Sequence, residues 1–313
     1  MHTVGVPTVS NPLGTVFAPA KINLALHVVG RRADGYHLLD TLVVFASVGD
    51  TLTAFPSSDG PALVLEGPFA DGLSAGGDNL IARADRAFRA RCPSLPAFSL
   101  RLSKQLPVSS GIGGGSADAA ATLRLLGALA TNPGHVDLEA LAMTLGADGP
   151  MCLRSTPLRA RGIGEQLQAW DVAPKLDLIL VNPGIAVSTP AVFRRLAQRE
   201  NPPLPERLPP IADSLALAAF LAAWTRNDLA APAEAEAPEI GAAESALAAA
   251  DGCLLARMSG SGATVFGIFT DAEAARRAAS AITAARPDWW VKAATTISPD
   301  EASPRRQNES VGR

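Results

Sequence analysis

Four lysines, four histidines, three cysteines and a single tyrosine are all that this 313-residue chain holds of those side chains. Cys92, Cys152 and Cys253 are odd in number, far apart and without a Cys-x-x-Cys pair. That spacing argues against a disulfide framework and against a zinc site, and it fits a reducing, cytoplasmic setting. His2, His27, His37 and His135 form no cluster with metal-ligand spacing, so no protein-held metal is expected. There is no excess of basic charge: the net charge is −3, which argues against a nucleic-acid partner. No apolar run approaches the roughly 18 residues needed to cross a bilayer, so no membrane partner is expected. Met1 to Gly14 has neither a basic start nor a long apolar stretch, and reads as a loose extension rather than a signal peptide. Lys21, Lys104, Lys175 and Lys292 stand against 23 arginines. Where this chain uses lysine, a compact ammonium is a different object from a guanidinium.

What is present is a core. Hydrophobic residues make up 48% of the chain and charged ones 18%, a globular composition long enough for two domains. Strands are expected over Lys21–Val29, His37–Val48 and Asp50–Phe55, with a polar turn at Arg31–Gly35 between the first two. A helix is expected from near Asp78 to Arg91, then a short strand over Phe98–Leu102. Asp137 caps a helix that ends at Gly146. After Arg159 come a buried strand over Leu176–Val181, a proline-rich connector over Pro202–Pro210, and a loop passing into helix over Ala230–Pro238. A glycine turn, Met258-Ser259-Gly260-Ser261-Gly262-Ala263, feeds an apolar strand to Phe269. Asp271 caps an alanine-rich helix to Ala285, and Trp289–Ala294 is a last strand. The mixture lacks the regular alternation of a doubly wound sheet, so the expected class is α+β.

The segment Leu106-Pro107-Val108-Ser109-Ser110-Gly111-Ile112-Gly113-Gly114-Gly115-Ser116-Ala117-Asp118-Ala119-Ala120 carries the most information. Its glycines permit positive φ and a close approach of backbone N–H groups to a ligand. Ser116 or Asp118 is placed to cap the helix that follows, and the N–H groups at such a start attract phosphate. No Gly-Lys-Ser/Thr follows, so it is not a P-loop, and its spacing is not that of a dinucleotide fingerprint. Three other segments stand out: Pro19-Ala20-Lys21-Ile22-Asn23-Leu24, Gly35-Tyr36-His37, and Leu145-Gly146-Ala147-Asp148-Gly149-Pro150. Taken singly, each has a plain structural reading: a solvated lysine, a packing pair, a turn aspartate.

Taken together and in this order, they resemble the GHMP kinases (galactose, homoserine, mevalonate and phosphomevalonate kinases), over about Val16 to Ser298. The block PAKINLALHVVGRRADGYH is most similar to the branch of the family that acts on a cytidine-diphosphate-linked sugar alcohol in non-mevalonate isoprenoid synthesis. The resemblance implies a two-domain α+β fold with the active site in the cleft between domains. Residues 1–14 would be a flexible extension, 15–159 the N-terminal domain with the ATP loop, 160–298 the C-terminal domain and 299–313 a flexible tail. It implies ATP with Mg²⁺, and phosphoryl transfer to the 2-hydroxyl of the methylerythritol unit. Asp148 would be the general base and Lys21 its neighbour, favouring the developing alkoxide. Pro107, Val108, Ser109, Ser110, Gly111, Ile112, Gly113, Gly114, Gly115, Ser116 and Ala117 would surround the phosphates. Asn79, Leu80 and Lys104 would lie on the adenine side. Asn23 would share the pocket, Tyr36 and Phe193 would stack on cytosine, His37 would read its polar edge, and Thr189 and Gly260 would line the substrate side. The family usually has Val or Ile after the aspartate. Gly149 stands here instead, which would loosen the backbone holding Asp148. A kinase of another small alcohol and a non-catalytic nucleotide-binding protein are the alternatives. The Gly-Tyr-His block speaks against the first, and the presence of both Lys21 and Asp148 against the second. Oligomeric state is left open between monomer and homodimer.

Overall fold

The structure, a computed structural model, describes residues 11–57, 62–131 and 134–306. It is organised around its first strand. β1 (Gly14–Arg31) and β2 (His37–Pro56) form a long antiparallel hairpin. Gly35 closes it with φ 94°. A single strand runs through His37–Pro56 where two were expected, because Gly49 makes no turn. Its Cα lies so close to β1 that a Cβ there would sit 2.3 Å from the Ala18 carbonyl oxygen. Glycine at this point serves a close crossing of strands.

β3 (Leu63–Glu66), β4 (Phe98–Ser103), β5 (Leu158–Gly162) and β6 (Gln166–Ala169) extend this sheet, β4 and β5 each pairing with β2. Helices α1 (Leu80–Arg89), α2 (Gly114–Leu129), α3 (Leu138–Leu145) and α4 (Gly149–Arg154) pack with Val16, Phe45, Leu52 and Leu102 of the sheet into one core. The caps are local chemistry: Asn79 accepts from Ile81 N–H and Asp137 from Ala140 N–H.

A second sheet is built from β7 (Asp177–Asn182), β8 (Cys253–Met258), β9 (Val265–Phe269) and β10 (Trp290–Thr295), in the order β10-β7-β9-β8. With it go α5 (Thr189–Arg194), α6 (Ser214–Trp224), α7 (Ala230–Glu236), α8 (Glu239–Ala248) and α9 (Ala272–Ala285). The segment from Ala230 is thus helical from its start, since Leu229 and Ala233 reach the core beneath it. The two sheets share a further core. Ile22, Leu24, Leu42 and Val44 of the first meet Leu178, Leu180, Phe266 and Ile268 of the second, with Leu217 and Leu221 of α6.

Three expected boundaries shift. A division at residues 159 and 160 would cut β5, whose Leu158–Gly162 pair with β2, so the first sheet keeps the chain to Ala169. The tail is not loose from residue 299. A 3-10 turn over Pro299–Ala302 buries Ala302, and β11 (Arg305–Arg306) pairs with Gly14 and Thr15. At the other end Leu13 N–H donates to the Ala54 carbonyl, so the extension meets the sheet before residue 14. Residues 1–10 and 307–313 lie outside the described part. No described helix is long and apolar enough to cross a membrane.

Asp40 on β2 locks the first sheet to the proline-rich connector. Its carboxylate takes two hydrogen bonds from the Arg159 guanidinium, at 2.7 and 2.6 Å, and one from Leu204 N–H. Arg159 also donates to the Leu204 and Pro205 carbonyls. Both side chains are buried. Asp40→Ala would strand a guanidinium in the interior. It is expected to cost about 3–5 kcal/mol in urea unfolding, the usual result of removing one half of a buried pair.

Candidate active site

The outer edge of β1 carries the site. Register shifts bracket Lys21 to Asn23, where β1 departs from regular pairing with β2. Lys21 N–H donates to the Ile112 carbonyl at 2.9 Å, and Asn23 N–H to the Ser259 hydroxyl at 3.0 Å. One strand edge therefore grips both glycine turns. The turns also touch each other. Thr264 N–H donates to the Ser110 carbonyl, and a Cβ on Gly111 would lie 2.6 Å from the Gly262 carbonyl oxygen. Gly111 and Gly260 have φ 75° and 57°, so glycine is required there by conformation as well as by space.

α2 starts at Gly114, with Gly113 as its N-cap at φ 67° and no side-chain cap. Ser116 and Asp118 therefore lie inside the first turns instead of capping the helix. Helix geometry leaves the N–H groups of Gly114, Gly115 and Ser116 without intrahelical acceptors, at the positive end of the helix dipole. Ala117 N–H is already used, donating to the Gly113 carbonyl at 2.8 Å. Ile112 and Ala117 are buried in the cores. Neither lines the cleft, so the set of loop residues that faces it is shorter than the sequence suggested.

Asp148 is the N-cap residue of α4, and its carboxylate meets the Lys21 ammonium at 2.7 Å. Lys21 is 6% exposed and Asp148 35%, so the pair sits with its lysine buried and its carboxylate open to the cleft. Gly149 does not loosen this arrangement. A Cβ there would lie 2.1 Å from the Ala142 carbonyl oxygen. Glycine lets α4 press against the backbone of α3, which fixes the residue before it. Arg124 of α2 holds the other end of α4, donating to the Cys152 and Leu153 carbonyls.

Two cavities meet at Asp148. The larger, about 1020 Å³, is lined by Pro107 to Gly111, Gly113 to Ser116, Asp78, Asn79, Leu80, Gly260 and Ser261. The smaller, about 680 Å³, is lined by Tyr36, His37, Ile163, Arg31, Arg194 and Arg199. Asp148, Ser116, Thr189, Pro190 and Phe193 line both. Thr189 is fixed by a 2.7 Å hydrogen bond between its hydroxyl and that of Ser261. His37 stacks on Phe193 with ring centres 4.7 Å apart, and its Nε2 is buried without a partner. Burial, then Arg31 and Arg199, hold the His37 pKa below its ordinary value, so the ring is neutral at neutral pH. Tyr36 is 59% exposed at the mouth.

Two sequence candidates stand elsewhere than expected. Asn23 lines neither cavity: it is buried, and its side-chain amide donates to Thr41 Oγ1 at 2.8 Å. Lys104 borders the larger cavity, but its ammonium is spent on Asp50 and Asp118, at 2.5 and 2.7 Å. The arginines were not legible, because nothing near Arg194 or Arg199 in sequence marks them out from the other 21. Among the described residues, no three His, Cys, Asp or Glu side chains converge to hold a metal.

The model of the GHMP kinase N-terminal domain matches residues 79–155, and that of the GHMP kinase C-terminal domain residues 211–288. A protein of Cereibacter sphaeroides named 4-diphosphocytidyl-2-C-methyl-D-erythritol kinase is 52% identical over 89% of this chain and 97% of its own length. This chain belongs to the GHMP kinase family. As a GHMP kinase it uses ATP. A protein of the same name from Rhizobium johnstonii is 54% identical over 90% of this chain and 92% of its own. A crystal structure of 4-(cytidine 5'-diphospho)-2C-methyl-D-erythritol kinase superposes with TM-score 0.73 at 34% identity, over 91% of this chain and all of that one. Homoserine kinase from Cytophaga hutchinsonii, at 16% identity and TM-score 0.65, over 97% of this chain and 99% of its own, shares the fold.

Gly149→Ala is expected to push α4 off α3. Overpacking of this kind costs about 1–3 kcal/mol, and turnover should fall further than stability alone explains, because Asp148 is the adjoining residue. Thermal melting and kcat measured on the same preparation check this. Wild-type turnover at a lowered melting point would show that Asp148 keeps its place without Gly149.

Proposed function

We propose that this GHMP kinase transfers the γ-phosphoryl group of ATP to the 2-hydroxyl of 4-diphosphocytidyl-2-C-methyl-D-erythritol, in isoprenoid biosynthesis. The observation that carries the reading is that Asp148, paired with Lys21 at 2.7 Å, is shared by both cavities. One cavity offers the glycine loop and α2 N-terminus to a triphosphate, the other an aromatic and arginine-lined space to the alcohol. Their junction is where the hydroxyl would meet the γ-phosphorus.

In that reaction Asp148 takes the hydroxyl proton as the alcohol oxygen bonds to the γ-phosphorus, and the bond to the β-γ bridging oxygen breaks to release ADP. Lys21 stabilises the alkoxide that forms, and the N–H groups of Gly114, Gly115 and Ser116 hold the phosphate oxygens. A Mg²⁺ ion would come with the triphosphate, since among the described residues no three His, Cys, Asp or Glu side chains converge to hold one. Asp148, a partly exposed carboxylate and an oxygen donor of the kind Mg²⁺ takes, would help hold it. The ion would neutralise charge on the phosphate oxygens.

For the cytidyl group, Tyr36 and the Phe193–His37 stack would hold the base, with the orphaned His37 Nε2 reading its polar edge. Arg31, Arg194 and Arg199 face the same cavity. Its two carboxylates are taken, Asp34 by Arg32 and Asp148 by Lys21, so the three guanidiniums are left to meet a diphosphate.

ADP release tests the reading, with the cytidyl substrate offered beside mevalonate, homoserine and galactose. Turnover is expected on the first only; turnover on another alcohol would remove the cytosine pocket. Asp148→Asn should abolish turnover while ATP still binds, and Lys21→Ala should lose about 10²–10³ in kcat. Near wild-type rates in either would overturn the mechanism. Tyr36→Ala and Arg199→Ala should each raise the KM for the cytidyl substrate about tenfold, with little change in the KM for ATP. Equal rises in both constants would mean that the base and the diphosphate lie elsewhere.

A further inference from the structure

Beneath the glycine loop, one ammonium serves two carboxylates. Lys104 Nζ lies 2.5 Å from Asp50 Oδ2 and 2.7 Å from Asp118 Oδ2, and all three side chains are at most 6% exposed. With both acids ionised, this buried cluster would carry one net negative charge. It would do so directly under the phosphate site, because a Cβ on Gly114 would stand only 3.1 Å from that ammonium. Buried charge without a partner is costly, and more so beside a polyanion.

The hydrogen bonds decide which acid is relieved. Asp50 is fully served as an anion: Oδ1 accepts from Gln105 N–H and Leu106 N–H, and Oδ2 from Lys104. Asp118 has the lysine on Oδ2 only, and its Oδ1 is buried with no partner. An orphaned carboxylate oxygen can carry a proton at no loss of bonding. We propose that Asp118 is a positioning residue that stands as a neutral carboxylic acid when nucleotide is bound, holding Lys104 under Gly114 without adding negative charge, and that ATP binding draws a proton onto it. This rests on the kinase reading only as far as ATP binding.

The surroundings support the assignment. Burial, set against the attraction of Lys104, pushes Asp118 up to about 8. Around α2, β2 contributes Asp50, the end of β4 Lys104, β1 Lys21 near Gly113, and α4 Cys152. Cys152 is pushed up to about 12 by burial and stays a thiol. On α1 Asp85 pairs with Arg89, Arg83 donates to the Thr144 carbonyl and Arg86 lies by Gly77; on α3 Glu139 pairs with Arg154. Because the folded pKa is raised above the ordinary 3.8, the folded chain keeps a proton that the unfolded chain releases. This contribution lowers stability as pH rises between about 4 and 8. Triphosphate binding raises the same pKa further, so ATP affinity must fall as pH rises past it.

Calorimetry of ATP binding without the alcohol substrate tests this, run at pH 8 in two buffers of different ionisation heat. The wild-type protein is expected to take up on the order of half a proton per ATP, and its Kd to rise about tenfold per pH unit well above 8. Asp118→Asn, isosteric and permanently neutral, should lose both the uptake and the slope. Asp50→Asn leaves Asp118 as the sole counter-ion of Lys104, and should move the pH dependence below neutrality. No proton uptake by the wild type, or an unchanged slope in Asp118→Asn, overturns the proposal even if a variant fails to fold. Absence of ATP binding would overturn the kinase reading itself. A wrong alcohol substrate would leave the proton count untouched.

Discussion

The outer edge of β1 is the constraint on which the rest of this molecule depends. An unpaired strand edge is normally a liability, a row of bare N–H and C=O groups open to any other strand. Here almost every position is taken by a different distant segment. Gly14 and Thr15 pair with β11, Lys21 N–H reaches Ile112, and Asn23 N–H reaches Ser259. Leu26 exchanges hydrogen bonds with Arg226 and Asp228, and Val28 N–H is capped by the Asp228 carboxylate. Asn227, held in the same stretch, donates to the Met258 and Gly260 carbonyls and so fixes the late glycine turn. Strand, both glycine turns and the linker after α6 are one hydrogen-bonded unit.

That unit explains why the two glycine turns contain glycine. A flexible loop would need none of the contacts seen between Gly111 and the Gly260–Gly262 turn, and would gain nothing from them. Here backbone lies on backbone at distances no Cβ tolerates. The conformational freedom of glycine is therefore spent on a tight fit, and Gly114, Gly115 and Ser116, whose N–H groups are left over, line the cleft. Gly149 follows the same logic on α4: absence of a side chain brings two helices together and steadies the aspartate at their junction.

The sequence made the fold class, both glycine turns, the caps at Asp137 and Asp271 and the Lys21–Asp148 pair legible, because each depends on local chemistry or on a motif with fixed spacing. It misplaced what depends on a third element. Gly49 reads as a turn until β1 is seen lying against it. Asn23 shares a face with Lys21 by alternation, yet Thr41 and Ser259 close over it and keep it from the cleft. Lys104 reads as a ligand-facing cation until Asp50 and Asp118, 54 and 14 positions away, are found around it. The arginine rim is invisible for the same reason, since exposed arginines gain a role only from the cavity they surround.

The scarcity of lysine acquires a physical meaning in this light. Two of the four lysines lie against the glycine loop. The Lys21 side chain is 3.3 Å from where a Cβ of Gly113 would be, and the Lys104 ammonium 3.1 Å from that of Gly114. A guanidinium is planar and wide, and there is no room for one against consecutive glycines. Both ammoniums are buried and both are paired, but differently. Lys21 faces one carboxylate that remains open to the cleft, where the proposed reaction needs a base. Lys104 faces two that are buried, at most 6% exposed, with Asp118 bordering the larger cavity. The first pairing leaves a base available for chemistry. The second removes all reactivity from the lysine and converts it to a fixed positive charge, provided its surplus carboxylate is neutral. The same residue type thus supplies the reacting end and the foundation of the loop, and the number of carboxylates around each ammonium separates the two roles.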